Sequence, residues 1–248
     1  MKRTFLFLLT AVLLGAGLWS CNKDDDNGNN SENNNGGNNG GGNGGGTQTV
    51  QWVDLGLPSG LLWADRNVGA QNPEDYGNYY AWGETKPKEV YDWDTYAYGG
   101  YNDSIGAYSF IKYCNMPNYG LNGFTDDLTT LEASDDAATV NLGGKARTPT
   151  EDEWQELMDN TTSTWTTCNG VYGRQLTGSN GKTIFLPAAG FRSDSSSYWV
   201  GEGGNYWSST LYQDIPTGAW FFRFVSYNQL MRAGGRPGGQ SVRAVRAK

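Results

Sequence analysis

The hydrophobic positions in the last third of the chain fall into short islands separated by glycine or polar residues. Four islands stand out, at residues 185–192 (FLPAAGFR), 204–210 (GNYWSST), 219–225 (AWFFRFV) and 241–246 (SVRAVR). Each is shorter than an ordinary helix, and most are rich in aromatic residues or valine, which suit the pleated, half-buried surface of a sheet. The pattern predicts a mostly antiparallel sheet with one face on a core and the other in water.

The third island shows the strand period of two most clearly. Trp220, Phe222 and Phe224 share one face, which we assign to the core. Phe221 and Arg223 share the other face, and the charge of Arg223 predicts that this face is exposed to water.

A glycine-rich segment, residues 226–240, follows this island and is predicted to be a loop. Polar, aromatic and arginine side chains on a rigid scaffold are typical of adaptable binding sites. We therefore predict one mixed aromatic and cationic ligand-binding patch, formed by Phe221, Arg223, Tyr227, Asn228, Arg232 and Arg236. The alternative is a solvated loop with no partner.

The clearest helix is predicted over residues 148–160. Thr150 and Glu153 have the spacing of a capping box, and Trp154 and Leu157 lie on one helical face. Two short strands are predicted near residues 50–55 and 61–68. The tryptophans of this first part of the domain are expected in the core, with sugar stacking as the alternative.

The islands, in their order, resemble the closing part of the C-type-lectin-like, formylglycine-generating-enzyme-like fold. The similarity is to the bacterial surface lipoproteins called the major paralogous (FISUMP) domain family, and it spans roughly residues 50–246. Upstream motifs that carry it lie at residues 61–70 (LLWADRNVGA), 73–85, 135–138 (DDAA), 143–157 and 164–170. The resemblance implies an α+β fold of mostly antiparallel short strands with one or two helices and long loops.

The chain departs from two activities of this superfamily. Its oxidising enzymes use cysteines near their C-terminal motifs, whereas no cysteine follows Cys168 here. Calcium-dependent lectins have Trp-Asn-Asp where this chain has Trp207-Ser208-Ser209. Both departures favour a domain that neither oxidises cysteine nor binds sugar through calcium.

The N-terminus has the pattern of a secreted lipoprotein. Residues 1–20 combine a basic start with a short apolar run, which predicts a signal peptide, with an uncleaved anchor as the alternative. Residues 18–21 (LWSC) resemble the lipobox, so Cys21 is the predicted lipidation site. Lys23 and the acids after it resemble the surface-export signal of Bacteroidota lipoproteins, with a plain solvated charge run as the alternative. Residues 21–49, mostly Asn and Gly, predict a disordered tether, and residues 50–248 the domain.

Charge and composition exclude several classes of function. The formal net charge is −8, which disfavours nucleic acid as a partner. No histidine occurs, so the usual general base and the commonest metal ligand are missing. We expect no catalytic residue and no cofactor. The alternative cofactor is calcium, for which Asp126, Asp127, Asp135 and Asp136 are the candidates.

Cys114 and Cys168 are the thiols left once Cys21 is acylated. A disulfide between them is one expectation for a protein outside the cytoplasm, and two unpaired thiols are the other.

Taken together, the sequence predicts a lipoprotein of the outer membrane, anchored in the lipid bilayer through Cys21 and facing the cell exterior. Its domain is expected to act as a non-catalytic binding or adhesion module for an extracellular glycan or protein. The alternatives are a structural surface or appendage component, and a glycan hydrolase that uses two carboxylates.

We expect Cys21→Ser to abolish membrane attachment, because the variant lacks the thiol that carries the lipid. Labelling of cells with a fatty-acid probe, followed by fractionation, measures this. Cys114→Ser is the control and should remain labelled. A Cys21→Ser chain that is still labelled and membrane-bound would contradict lipidation at this residue.

Overall fold

The computed structural model of the protein describes residues 50–103 and 106–248, which all belong to one compact unit. The predicted signal peptide, the predicted lipidation site Cys21 and the predicted tether lie outside the described residues. Within the described part, no helix combines the length and the apolarity needed to cross a membrane.

The described residues form short strands and two α-helices. In chain order these are β1 (Trp52–Asp54), β2 (Leu62–Asn67), β3 (Tyr101–Asn102), β4 (Ala107–Tyr108), a 3-10 turn (Leu121–Gly123), α1 (Ala137–Leu142), α2 (Glu151–Asp159), β5 (Thr161–Cys168), β6 (Val171–Gly178), β7 (Thr183–Pro187), β8 (Phe191–Ser193), β9 (Ser196–Tyr198), β10 (Gly203–Leu211), β11 (Gly218–Val225), β12 (Asn228–Gly235) and β13 (Arg243–Arg246).

These strands pair into three three-stranded sheets, ordered β1-β2-β13, β5-β6-β7 and β10-β11-β12, and two hairpins, β3-β4 and β8-β9. Every pairing between these strands is antiparallel. The predicted α+β class, with mostly antiparallel short strands and few helices, is confirmed. Pairing of β2 with β13 joins the two ends of the described chain, with Trp63 opposite Val245.

Helix α2 begins as the sequence predicts. The Thr150 side chain accepts a hydrogen bond from the Glu153 backbone N–H, and the Glu153 carboxylate accepts one from the Thr150 N–H. Trp154 and Leu157 are buried and pack against the β10-β11-β12 sheet side of the core. The Trp154 ring stacks on Phe222 with centroids 4.9 Å apart. The cap and the apolar face together explain why this segment is the longest described helix.

The sheet β10-β11-β12 is covered on both faces, which the sequence did not predict. Phe222 and Phe224 pack with Trp154 in one cluster, as expected. Phe221, expected to face water, is only 6% exposed and packs with Trp207 in a second cluster. The predicted exposure of Phe221 is therefore wrong. Segments far away in sequence, such as the one containing Trp82, cover this face, and strand alternation cannot reveal that.

Trp220, expected in the core, is half-buried and packs edge-on against Tyr212 with ring centroids 5.2 Å apart. The core prediction for Trp63 and Trp82 is confirmed, since both are fully buried.

The predicted loop at residues 226–240 is largely a strand. β11 and β12 form a hairpin whose register runs without interruption from Val225 opposite Asn228 to Gly218 opposite Gly235. The turn consists of Ser226 and Tyr227, the length typical of a tight hairpin. Glycines within β12 misled the prediction. At Gly234, a β-carbon would lie 2.8 Å from the Phe221 ring, so this glycine makes room for the buried aromatic side chain.

We expect Phe221→Ala to destabilise the domain by about 3–5 kcal/mol, because the substitution leaves a cavity beside Trp207. Urea unfolding followed by tryptophan fluorescence measures this. Tyr227→Ala is the control, and with a side chain 88% exposed it should change stability by less than about 0.5 kcal/mol. Equal stabilities of the two variants would contradict the burial of Phe221.

Candidate functional site

The structure separates the six predicted binding residues into two groups. Arg223, Tyr227, Asn228 and Arg232 reach the surface, whereas Phe221 and Arg236 are buried. The predicted single patch of six side chains is therefore wrong, and the surface group has to be considered on its own.

Arg236 supports the fold instead of a ligand site. Its Nε donates to the Tyr96 hydroxyl at 2.8 Å, and its Nη1 donates to the carbonyl oxygens of Tyr113 and Pro216 at 3.0 and 2.9 Å. The guanidinium also lies 4.5 Å from the centroid of the Phe110 ring. Backbone carbonyl oxygens thus satisfy the hydrogen-bond donors of a buried guanidinium that was predicted to lie on the surface. The sequence gives no sign of this burial, because no acidic residue close to Arg236 in the chain suggests a buried ion pair.

The register of β10-β11-β12 places the two remaining arginines on one face. Arg223 lies opposite Leu230, and Arg232 lies opposite Phe221 on the neighbouring strand. Directly opposite residues of an antiparallel pair point to the same side. Arg223 and Arg232 are therefore diagonal neighbours with Leu230 beside them, where the cover over Phe221 ends.

Trp199 completes this surface, and the sequence analysis missed it. The Arg223 guanidinium lies 4.0 Å from the centroid of the Trp199 ring, a cation–π contact. Trp199 is 44% exposed, and its neighbours Tyr198 and Val200 are also exposed. The run Tyr-Trp-Val at residues 198–200, just before Gly201, could have indicated this exposed surface. Three consecutive large apolar residues in a turn are seldom all buried in a core. We call Trp199, Arg223, Tyr227, Leu230 and Arg232 the arginine face.

The backbone of Trp199 adopts a conformation that large residues rarely take. Its φ is +59°, in the left-handed region, which costs an L-residue roughly 1–2 kcal/mol. The turn that imposes it is held by the Trp199 carbonyl oxygen, which accepts hydrogen bonds from the N–H groups of Glu202 and Gly203 at 3.0 and 3.1 Å. Strain of this kind is concentrated at functional sites.

The electrostatics of the arginine face are those of a cation pair without a counterion. Burial, and then the like charge of Arg232, lower the pKa of Arg223 from its usual value. Among the described residues, neither arginine forms an ion pair with a carboxylate. In a chain with a net charge of −8, this is a local excess of positive charge.

Asn228 is exposed, but its polar atoms serve the hairpin. Its side-chain oxygen accepts from the Gln229 N–H at 2.9 Å, and its carbonyl oxygen accepts from Arg174 at 3.3 Å. Arg174 also donates to the carbonyl of Val225. These contacts fix the end of the hairpin and thereby the position of Tyr227.

Of the two expectations for Cys114 and Cys168, the disulfide between them is not found in the structure. Cys114 is a free thiol, buried among Tyr91, Tyr96 and Phe110, and its sulfur contacts the Met116 carbonyl oxygen at 3.2 Å. Burial raises the pKa of this thiol. Cys168 is buried at the end of β5, in a different part of the structure from Cys114.

Three of the four calcium candidates have protein partners. Asp126 accepts from the N–H groups of Tyr113 and Cys114, and Asp136 caps α1 and accepts from Thr148. Burial opposes ionisation of Asp135, but hydrogen bonds from Lys112, Tyr113 and Ser134 outweigh it and hold its pKa below the usual value. Asp127 is exposed.

Within residues 50–103 and 106–248, no three acidic or cysteine side chains cluster as a metal site would require. The segment Trp207-Ser208-Ser209, which the resemblance sets against the calcium ligands of lectins, is internal, because Ser208 and Ser209 are buried. The Ser208 hydroxyl donates to the Trp220 carbonyl oxygen at 2.9 Å and serves the sheet.

Comparisons of the chain with family models, with curated proteins and with solved structures find no match.

We expect Trp199→Gly to be more stable than Trp199→Ala by about 1 kcal/mol, because glycine adopts a positive φ without steric strain and alanine does not. Thermal unfolding of both variants measures the difference. The same pair of substitutions at Tyr198, which lies in a strand, serves as the control, and there alanine should be the more stable. Equal stabilities at position 199 would contradict the left-handed turn.

Proposed function

We propose that this protein is a lipid-anchored surface protein whose C-type-lectin-like domain, of the major paralogous kind, binds an extracellular ligand through the arginine face. The observation that carries the proposal is the pair Arg223 and Arg232, which lie on one accessible face beside Trp199 without a carboxylate partner.

We expect the arginine face to reduce the stability of the domain, which supports a role in binding. Like charges that are neighbours on a sheet repel each other, and left-handed Trp199 adds backbone strain. Selection for stability alone would place an acid beside one arginine or a glycine at position 199. Features that weaken a fold are expected where function requires them.

The chemistry of the face suits recognition better than catalysis. Guanidinium groups stay protonated at neutral pH and present several donors in a planar fork, which matches carboxylate, phosphate or sulfate oxygens. Trp, Tyr and Arg are also the residues that most often dominate binding energy at interfaces. A hydrolase with two carboxylates is the less supported alternative, because the five residues of the arginine face include no acid.

The N-terminal segment agrees with this proposal. A lipid on Cys21 would hold the protein in the outer membrane, and an Asn/Gly tether of about 28 residues has a typical span of roughly 30 Å. Such a tether leaves the domain free to turn its arginine face toward a ligand outside the cell. The structural-component alternative predicts the same anchor but no need for an unpaired cationic surface.

We expect full-length protein in detergent micelles to bind components of a combined array of glycans and extracellular proteins. The double substitution Arg223→Ala/Arg232→Ala should reduce that binding at least about tenfold, since each charged contact at an interface contributes more than about 1 kcal/mol.

Arg246→Ala is the matched control, because Arg246 lies 4.5 Å from the ring of Trp52 in the same kind of cation–π contact on a different sheet. Its binding should not change. If the double variant binds as well as the unaltered protein, the arginine face is not the ligand site. If no component of the array binds at all, the structural role becomes the better explanation.

A further inference from the structure

Strand β12 is an open edge. It is the last strand in the order β10-β11-β12, and its register with β11 is uninterrupted over all eight residues. Beyond the pairing with β11, no described residue forms a hydrogen bond with the backbone between Leu230 and Gly234. Backbone N–H and C=O groups in such a row are ready to pair with another strand.

Proteins usually protect an edge of this length with a proline, a bulge, a charged side chain (most often lysine) or a covering segment. β12 contains no proline or lysine, its pairing shows no bulge, and Arg232 is its one charged residue. An accessible and regular edge beside a cation pair therefore requires an explanation.

The side chains along this edge set the chemistry of an incoming strand. Leu230 and Arg232 are exposed and point to the same side, and Arg223 lies one strand inward on that side. Side chains directly opposite each other on neighbouring strands have β-carbons about 4.5–5.5 Å apart. An added strand would thus place one side chain against Arg232 and its next same-face side chain against Leu230.

We propose that the arginine face and the β12 edge together bind an extended acidic polypeptide segment, which adds to the sheet as a fourth strand. This inference rests on the proposed function and specifies its ligand. A carboxylate on the segment pairs with Arg232 and also contacts Arg223. An apolar side chain of the segment packs on Leu230. Backbone pairing supplies affinity, and the two arginines select acidic sequences.

An acidic glycan would satisfy the arginines less completely. The Arg223 guanidinium already covers one face of the Trp199 ring, where a sugar would stack. A glycan also lacks the regular amide spacing that a strand edge pairs with. The charge complementarity together with the open backbone row favours a peptide.

Another outer strand of the described structure offers a comparison. β5 is the outer strand of β5-β6-β7, and its eight residues (TTSTWTTC) carry no charge. If an open edge alone were sufficient, β5 would bind the same segments. We expect the acidic segment to choose β12, because of these two outer strands it is the one that lies beside Arg223 and Arg232.

The test uses full-length protein in detergent micelles and a synthetic peptide about eight residues long, to match β12. Every second residue is Asp or Val in turn and the others are Thr, so that one face presents an Asp to Arg232 and the next same-face residue, a Val, to Leu230. Fluorescence anisotropy of the labelled peptide measures binding. We expect saturable binding that Arg232→Ala and Arg223→Ala each weaken at least about tenfold, whereas Arg246→Ala leaves it unchanged. The same peptide with Lys in place of every Asp should not bind.

A second peptide separates strand addition from simple charge attraction. Methylation of its amide nitrogens at alternate residues, on the edge that would pair with β12, removes the donors and keeps every carboxylate. We expect its binding to fall at least about tenfold. Equal binding of both peptides would overturn strand addition, and so would peptide binding that the arginine variants leave unchanged.

Polygalacturonate, an acidic polysaccharide, is the remaining comparison. Binding of this glycan without binding of the peptide would overturn the inference. If the peptide fails while array binding still depends on Arg223 and Arg232, the further inference is wrong and the proposed function stands. If array binding also does not depend on the arginines, both are wrong.

Discussion

The buried guanidinium of Arg243 is the contact on which the sheets around the core depend. It donates to the Asn67 side-chain oxygen at 2.9 and 2.7 Å and to the carbonyl oxygens of Ala64 and Phe185 at 3.0 and 2.8 Å. One side chain of β13 thereby ties β2 to β7. Burial lowers the pKa of Arg243 to about 10. A buried charge without a carboxylate is tolerated only when oxygens surround it, so the strands that supply those oxygens cannot shift independently.

Four arginines fall into two pairs that differ in the surroundings of the guanidinium group. Arg243 and Arg236 are fully buried, and their donors meet carbonyl, hydroxyl or amide oxygens. Arg223 and Arg232 lie on a rigid strand pair at the surface, and no described carboxylate pairs with them. The first two hold loops and strands together. We propose that the second two keep hydrogen-bonding capacity for a partner, and that the packed strands beneath them hold them in place without a ligand.

Local patterns in the sequence predicted the secondary structure of single elements well. They predicted poorly which distant segments of the chain bury each face of a strand. The capping box at Thr150 and the apolar face of Trp154 identified α2, and strand alternation placed Phe222 in the core. The same alternation misplaced Phe221, because a strand pattern does not show which distant segments cover its second face. Arg236 was wrongly predicted to lie on the surface and Trp199 was not among the predicted binding residues, for related reasons. Carbonyl oxygens that satisfy a buried arginine leave no trace in the sequence, and a left-handed turn is expected at glycine and not at tryptophan.

The central claim is that β12 offers an open strand edge beside an uncompensated cation pair. Hydrogen exchange of backbone amides, with and without the Asp/Val peptide, tests it most directly. We expect the amides of β12 that point away from β11 to exchange rapidly in the free protein and to become protected when the peptide is bound. Amides of β5 should not change. Protection of β5 and not β12, or a bound peptide that leaves β12 unprotected, would contradict the claim.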